Sequence, residues 1–273
     1  MPFKVGDLVT RKSYGGDVLF RITAIDWAEN VAQLVGVDMR LLADAPLDDL
    51  VHVDEDLRGR VSRREEELLA SSVQQLRKNR EPGPPYFKLP GRVLHLDGDA
   101  SYLKKCLAFY EALEIPVYGI HLAERQMPEE VYGLLTAIQP DILVITGHDA
   151  YLRSVGDKQD VAAYRHSQYF YQAVQRARQY ERNKDNLIIF AGACQSHFEA
   201  LIEAGANFAS APERVNIHCL DPLFIVEQAA YTPIDQIVNL QQAIQHSRTG
   251  SAGLGGIDTK GTFRLGIPRL KVV

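Results

Sequence analysis

Cysteine is scarce in this sequence, with three in 273 residues. Three is too few for a disulfide framework, and an odd count leaves at least one thiol free. A surplus of positive charge is also missing: 30 Lys and Arg stand against 35 Asp and Glu, for a net charge of -5. No global basic field therefore exists to recruit nucleic acid. Long apolar runs are absent too. Residues 142–145 and 187–191 are strand-sized, far short of the roughly 20 residues that a bilayer requires. The start, Met1-Pro2-Phe3-Lys4-Val5-Gly6-Asp7, carries no apolar stretch behind a basic end, so no secretory signal is expected. There is no Cys-x-x-Cys or His-Glu-x-x-His spacing, and Gly253-Leu254-Gly255-Gly256 lacks the strand and helix of a phosphate loop. Neither metal nor cofactor is expected. What is present is an ordinary folding composition, 46% hydrophobic and 24% charged. The expectation is a cytoplasmic protein of one large or two modest domains.

The chain changes character twice. Residues 1–53 hold short β-rich runs at 4–11, 17–25, 31–37 and 51–53 with turns between them. These predict a small β-barrel, and its Val5-Gly6-Asp7-Leu8-Val9 opening resembles SH3-like or KOW-like barrels, which dock or regulate. Residues 54–90 read as a basic helix, with Arg58, Arg60, Arg63, Arg64, Arg77, Lys78 and Arg80, followed by a Pro82-Gly83-Pro84-Pro85 linker. Residues 91–273 alternate strands and helices. Strands are predicted at 92–96, 116–122, 141–145 and 187–190, and helices at 101–113, 129–138, 161–182 and 196–204. That order predicts an α/β fold with a mostly parallel sheet and flanking helices. The glycine-rich tail from Gly250 reads as a flexible or loop-rich terminus, with late packing on the core as the alternative.

Ligands of an open parallel sheet bind beyond the carboxyl ends of its strands. Two ends are chemically loaded: Ile145-Thr146-Gly147-His148-Asp149 and Ala191-Gly192-Ala193-Cys194-Gln195-Ser196. If the strands are neighbours, His148 and Cys194 share one edge. A thiol needs a base or a helix N-terminus to become a thiolate, and a helix expected from Ser196 would point its first N–H groups at the sulfur. Small Gly192 lets a substrate approach. The amides of Cys194 and Asp149, with Gly147 beside them, are candidates for an oxyanion hole. Taken alone, Cys194 would more often be packing and His148 a backbone-bonded strand-end histidine; it is their matched context that singles them out. Cys106 lies on an apolar helix face and is expected in the core. Cys219, beside His218, is expected to pack. Asp97-Gly98-Asp99 is expected to form a turn and helix cap.

These strand ends resemble the caspase-like cysteine peptidases, in which His-Gly and Ala-Cys close two apolar strands about 50 residues apart; here His148 and Cys194 are 46 positions apart. The departure is Asp149 in place of the second glycine. More widely, Val5 to Tyr14, Asp17 to Arg21, Val93 to Asp99, Ile145 to Asp149 and Ala191 to Ser196 resemble the YabG family of sporulation-specific proteases. The resemblance implies a cysteine endopeptidase with a Cys194–His148 dyad that cleaves spore coat and related proteins, in the mother cell or developing coat, after basic residues. A basic residue there calls for a partner acid, with Asp97, Asp99, Asp149 and Asp221 as candidates, and makes residues 58–80 a site of self-processing. Two rivals remain at this point. A flavodoxin-like glutamine amidotransferase would use a histidine after the cysteine, His218 or His246. A non-catalytic coat scaffold would use none.

Overall fold

The computed structural model describes residues 2–16, 18–53, 67, 70–75, 77 and 87–266. Two main sheets organise them. The first contains β1 (Leu8–Arg11), β2 (Phe20–Asp26), β3 (Val31–Gly36), β4 (Leu42–Pro46) and β5 (Leu50–His52), antiparallel in the order β4-β3-β2-β1-β5. Alternation sets its inner face: Phe20, Ile22, Ala32 and Leu34 are buried while Arg21, Thr23 and Gln33 are exposed. Among the described residues no β4–β5 pairing closes this sheet into a barrel. The sequence patterning missed β4. Its run Leu42-Ala43-Asp44-Ala45-Pro46 is poor in β-formers, and it survives as an edge strand, where proline costs no ladder bond.

The second sheet contains β7 (Val93–Asp97), β8 (Val117–His121), β9 (Ile142–Thr146), β10 (Ile188–Ala191), β11 (Phe208–Ser210) and β12 (Leu254–Gly256), in the order β12-β11-β10-β9-β7-β8. All pairings are parallel except β11–β12. Every residue of β7, β9 and β10 is buried, as both faces are covered. The helices Ala100–Ala112 and Asp221–Tyr231 pack Cys106, Phe109, Leu223 and Phe224 against Val93, Val144 and Phe190. The helices Met127–Ile138 and Ser167–Tyr180 pack Val131, Leu135, Phe170 and Val174 against Leu94, Leu143 and Ile189 on the opposite face. The chain leaves β7 for β8 on one side and then returns to place β9 on the other. The strand order thus reverses between β7 and β9, and such a reversal leaves a crevice at the carboxyl edge.

Three expectations are corrected. The helix expected over residues 161–182 is a 3-10 turn, Val161–Ala163, capped by the Asp160 side chain, followed after extended Tyr164 by Ser167–Tyr180. The helix after Cys194 starts at Phe198, with His197 as its cap. Within the described part of the glycine-rich tail, β12 covers the edge of β11, and β13 (Arg264–Gly266) pairs with β6 (Phe87–Leu89). Its glycine is needed there, since a Cβ on Gly256 would lie 2.5 Å from the Asn207 carbonyl oxygen. The expected basic helix and proline linker fall mostly outside the described residues.

Candidate active site

In the β9–β10 ladder Ile145 stands opposite Ala191, so His148 and Cys194 each follow three residues beyond a matched pair. The turn after β10 depends on two left-handed residues. Gly192 has φ 111°, and a Cβ there would lie 2.4 Å from Ser210 Oγ. Gln195, directly after the cysteine, has φ 56°, unusual for a residue with a side chain. Its side chain offsets the cost: Oε1 accepts from the Tyr151 N–H at 3.2 Å, and Nε2 donates to Asn216 Oδ1 at 2.9 Å.

His148 is held from two sides. Its backbone N–H donates to Glu124 Oε1 at 2.9 Å, and its Nε2 lies 3.0 Å from Asp99 Oδ2. Gly98 and Gly147 make room for Glu124, because a Cβ on either would lie within 2.4 Å of Glu124 Oε1. Asp99 also caps the helix Ala100–Ala112 through the N–H groups of Ser101 and Tyr102, as expected of the Asp97-Gly98-Asp99 turn. Burial alone would raise the Asp99 carboxyl, but the bonds from His148 and Ser101 hold it well below the usual carboxylate range. A carboxylate on Nε2 favours the tautomer that carries its proton there. The other nitrogen, Nδ1, is buried and has no hydrogen-bond partner among the described residues. The Tyr102 ring meets the imidazole edge-on, with centroids 5.1 Å apart.

Cys194 is fully buried. Its Sγ lies 3.5 Å from the Ile217 carbonyl oxygen and accepts from the Ile217 N–H at 3.3 Å. Burial pushes the thiol up, and the Ile217 N–H offsets this only in part. The helix dipole expected to activate it is not in place. The helix begins four residues later, and Ser196 turns its hydroxyl to the Ala193 N–H and to Asp149 instead.

The four candidate acids have distinct surroundings. Asp149 is buried and accepts from Ser167 Oγ, Ser196 Oγ and the N–H groups of His166 and Ala150. Burial raises its carboxyl against these bonds, and its backbone bridges to Leu41. Asp221 accepts from Thr249 Oγ1 and the N–H groups of His218 and Arg248. Asp99 serves His148. Asp97 faces a cation that sequence reasoning missed: Arg40 Nη1 lies 2.9 Å from Asp97 Oδ2, and both side chains are fully buried. Burial would raise the Asp97 carboxyl, but Arg40 and His95 bring it down to about 2. Arg40 sits in the turn between β3 and β4, and nothing in its local sequence marks it.

The remaining candidates are placed as follows. Cys106 lies in the core, as expected, and Cys219 is buried as well. His218 is buried and held neutral, its value lowered to about 3 by burial and by the nearby Arg248 charge, and its Nδ1 accepts from the Leu220 N–H. His246 bonds the Gln242 carbonyl and stacks on Phe224. Ligand atoms of His95, Asp97 and Cys106 lie within 4.8 Å of one another, but the Arg40 guanidinium is bonded to both Asp97 and Cys106.

A covered, mostly parallel sheet whose carboxyl edge gathers a cysteine, a histidine and oriented acids has the layout of an α/β enzyme. The comparisons with known proteins narrow that class. The family model described as YabG peptidase U57 matches residues 4–268. The chain is 47% identical over 292 aligned residues to the sporulation-specific protease YabG of Bacillus subtilis (strain 168), covering 98% of this chain and 99% of that protein. The chain belongs to the YabG peptidase U57 family. It is a protease, and its substrates are proteins. None of the described helices is long and apolar enough to cross a membrane.

Proposed function

We propose that the chain is a cysteine endopeptidase of sporulation in which Cys194 is the nucleophile and His148 the general base. The observation that carries this reading is the free Nδ1 of a histidine whose Nε2 is already committed to Asp99, in the turn after β9, the strand paired with β10, whose own following turn holds Cys194. Nδ1 takes the thiol proton, and the thiolate adds to the scissile carbonyl. The tetrahedral oxyanion is received by the amide of Cys194, with that of Asp149 as second donor. Collapse expels the amine, which takes the proton back from His148, and water then hydrolyses the thioester. Asp99 keeps the imidazole in its tautomer and supports the imidazolium. The substrates on this reading are spore coat and related sporulation proteins, cleaved after basic residues, with residues 58–80 of the chain itself among the targets. Residues 1–53, read as a barrel-like docking or regulatory unit, precede a caspase-like catalytic unit over residues 91–273.

The test is mass mapping of a coat-like basic peptide, and of the chain alone, for wild type and Cys194→Ala. Cleavage is expected to disappear in the variant; unchanged cleavage would sink the assignment. A His148→Ala chain that keeps full activity would point instead to a histidine after the cysteine, as in amidotransferases.

A further inference from the structure

Residues 38–40 lie along residues 217–219 as an added antiparallel strand. Met39 bridges His218, the Arg40 N–H donates to the Ile217 carbonyl at 3.2 Å, and the Cys219 N–H donates to the Asp38 carbonyl at 3.0 Å. This is how extended peptides dock on exposed backbone. The placement is specific in register. The Ile217 carbonyl that receives the Arg40 N–H also receives Cys194 Sγ, so the Arg40 backbone and the sulfur share one acceptor. The side chain of Arg40 then enters the crevice between β7 and β9, where the strand order reverses. Among the described residues, every group its guanidinium hydrogen-bonds is an acceptor: Asp97 Oδ2 at 2.9 Å, the Cys219 carbonyl at 3.0 and 3.3 Å, the Gly147 carbonyl at 3.5 Å and Cys106 Sγ at 3.6 Å. The Tyr102 ring lies 5.2 Å from the guanidinium carbon, and the Tyr102 hydroxyl anchors the turn by donating to the carbonyls of Gly36 and Met39. Beyond Arg40 the chain bends, the Leu41 N–H returning to the Met39 carbonyl at 2.7 Å. From Leu41 onward it borders a cavity of about 440 Å³, lined in part by Arg11, Tyr151, Arg165, Gln195 and Asn216.

A buried ion pair adds little stability over a well-packed apolar pair. A planar cation ringed by acceptors, one carboxylate among them, is however what recognition of an arginine side chain requires. We propose that Asp97 is the specificity-determining residue for a basic side chain next to the scissile bond, and that Arg40 fills its pocket from within the chain, so that residues 38–41 hold the substrate strand closed. The proposal rests on the cysteine peptidase reading for the position of the scissile bond, but the pocket is defined by the groups around the Arg40 guanidinium, independently of the role of Cys194. In the covered state Cys194 is out of reach of solvent, and a protein substrate must displace Arg40 to enter.

The experiment uses the full chain as wild type, Arg40→Ala and Arg40→Ala/Asp97→Asn, with two peptides identical except for arginine or citrulline before the scissile bond. Arg40→Ala is expected to raise kcat/KM on the arginine peptide about tenfold or more over wild type, and to prefer it over citrulline by about 100-fold. The double variant is expected to bring that preference to within about threefold. A double variant that still prefers arginine overturns Asp97 as the specificity residue, and an Arg40→Ala chain no faster than wild type overturns the closed strand. Should the double variant not fold, ethylguanidinium decides: it is expected to compete with the arginine peptide in Arg40→Ala and to leave wild type untouched. Stabilisation without competition would make Arg40 a structural plug only and overturn the proposal. Binding of both peptides to Arg40→Ala/Cys194→Ala separates the two readings. Discrimination in binding without turnover by the Cys194 chain discards the nucleophile and keeps the pocket, and turnover without discrimination does the reverse.

Discussion

Asp97 and Asp149 stand at neighbouring strand ends of one sheet, both shut off from solvent, yet their surroundings drive their acidities in opposite directions. Burial is the largest influence on Asp97, yet the Arg40 guanidinium, His95 and the Asp99 N–H together hold it down at about 2. Asp149 meets only neutral donors, from residues 150, 166, 167 and 196, and burial prevails. The lesson concerns what each carboxylate is for. Asp149 ties the turn after β9 to the turn after β10 and to the start of the helix Ser167–Tyr180, so it fixes the floor of the site. Asp97 accepts from the Asp99 N–H in its own turn and from Thr146 Oγ1 on β9, and it also receives the segment that covers the site. Both acids organise their turns, and only Asp97 pairs with a cation from the first sheet's side.

The largest effect follows from separating the receiving pair. Asp97→Asn alone leaves a buried guanidinium without its charge partner and should cost about 3–5 kcal/mol in denaturant melts. Arg40→Met/Asp97→Asn should recover most of that loss. If the single variant costs nothing, the two aspartates do not differ in kind. For Asp149 the order of substitutions is reversed. Asp149→Leu strands four donors and should cost about 3 kcal/mol or more, whereas Asp149→Asn keeps an acceptor for the two N–H groups and should cost about 1 kcal/mol. Acid sharpens the contrast. Asp97 has a depressed folded value, so its contribution is complete above its unfolded value of about 4 and is lost as pH falls toward 2. Asp149 has a raised folded value, so its contribution is present below about pH 4 and is lost as pH rises through that raised value. The melting temperature of Arg40→Met/Asp97→Asn should therefore depend less on pH between 4 and 2 than that of wild type. Asp149→Asn should instead flatten the dependence above pH 4. The smallest effect belongs to His148, which Glu124 and Asp99 hold. Gly147→Ala pushes Glu124 off the His148 N–H and should lower kcat severalfold with little change in melting temperature.

Much of this geometry is local and could be read from residues alone. The apolar runs of β9 and β10 and the small residues after them point to one edge, and those strands pair directly. The turn with its cap at Asp99 was legible as well. What escaped the reading is long in sequence range or short in length. Arg40 and Asp97 lie 57 positions apart, and an arginine in a turn carries no periodic signal. The three residues of β11 and the three of β12 are too few for alternation to register, and they exist because they pair with each other. The helix Asp221–Tyr231 is buried nearly all round, so its apolar face had no polar counterpart to set a period. Asp99 was noticed for its charge, but its partner His148 is fixed by the β7–β9 ladder rather than by spacing.

The seating of residues 36–41 has a consequence for how a nicked chain would behave. Backbone bonds from residues 38 and 40, the Lys105–Asp38 ion pair, the Tyr102 anchor and the Arg40 crevice all join the first sheet to the second without using the peptide between them. A cut between residues 54 and 86 would therefore give two pieces on a denaturing gel and one particle on a sizing column. Hydrolysis of the tether and departure of the cover would be separate events, the second governed by exchange at Asp97 rather than by the broken bond.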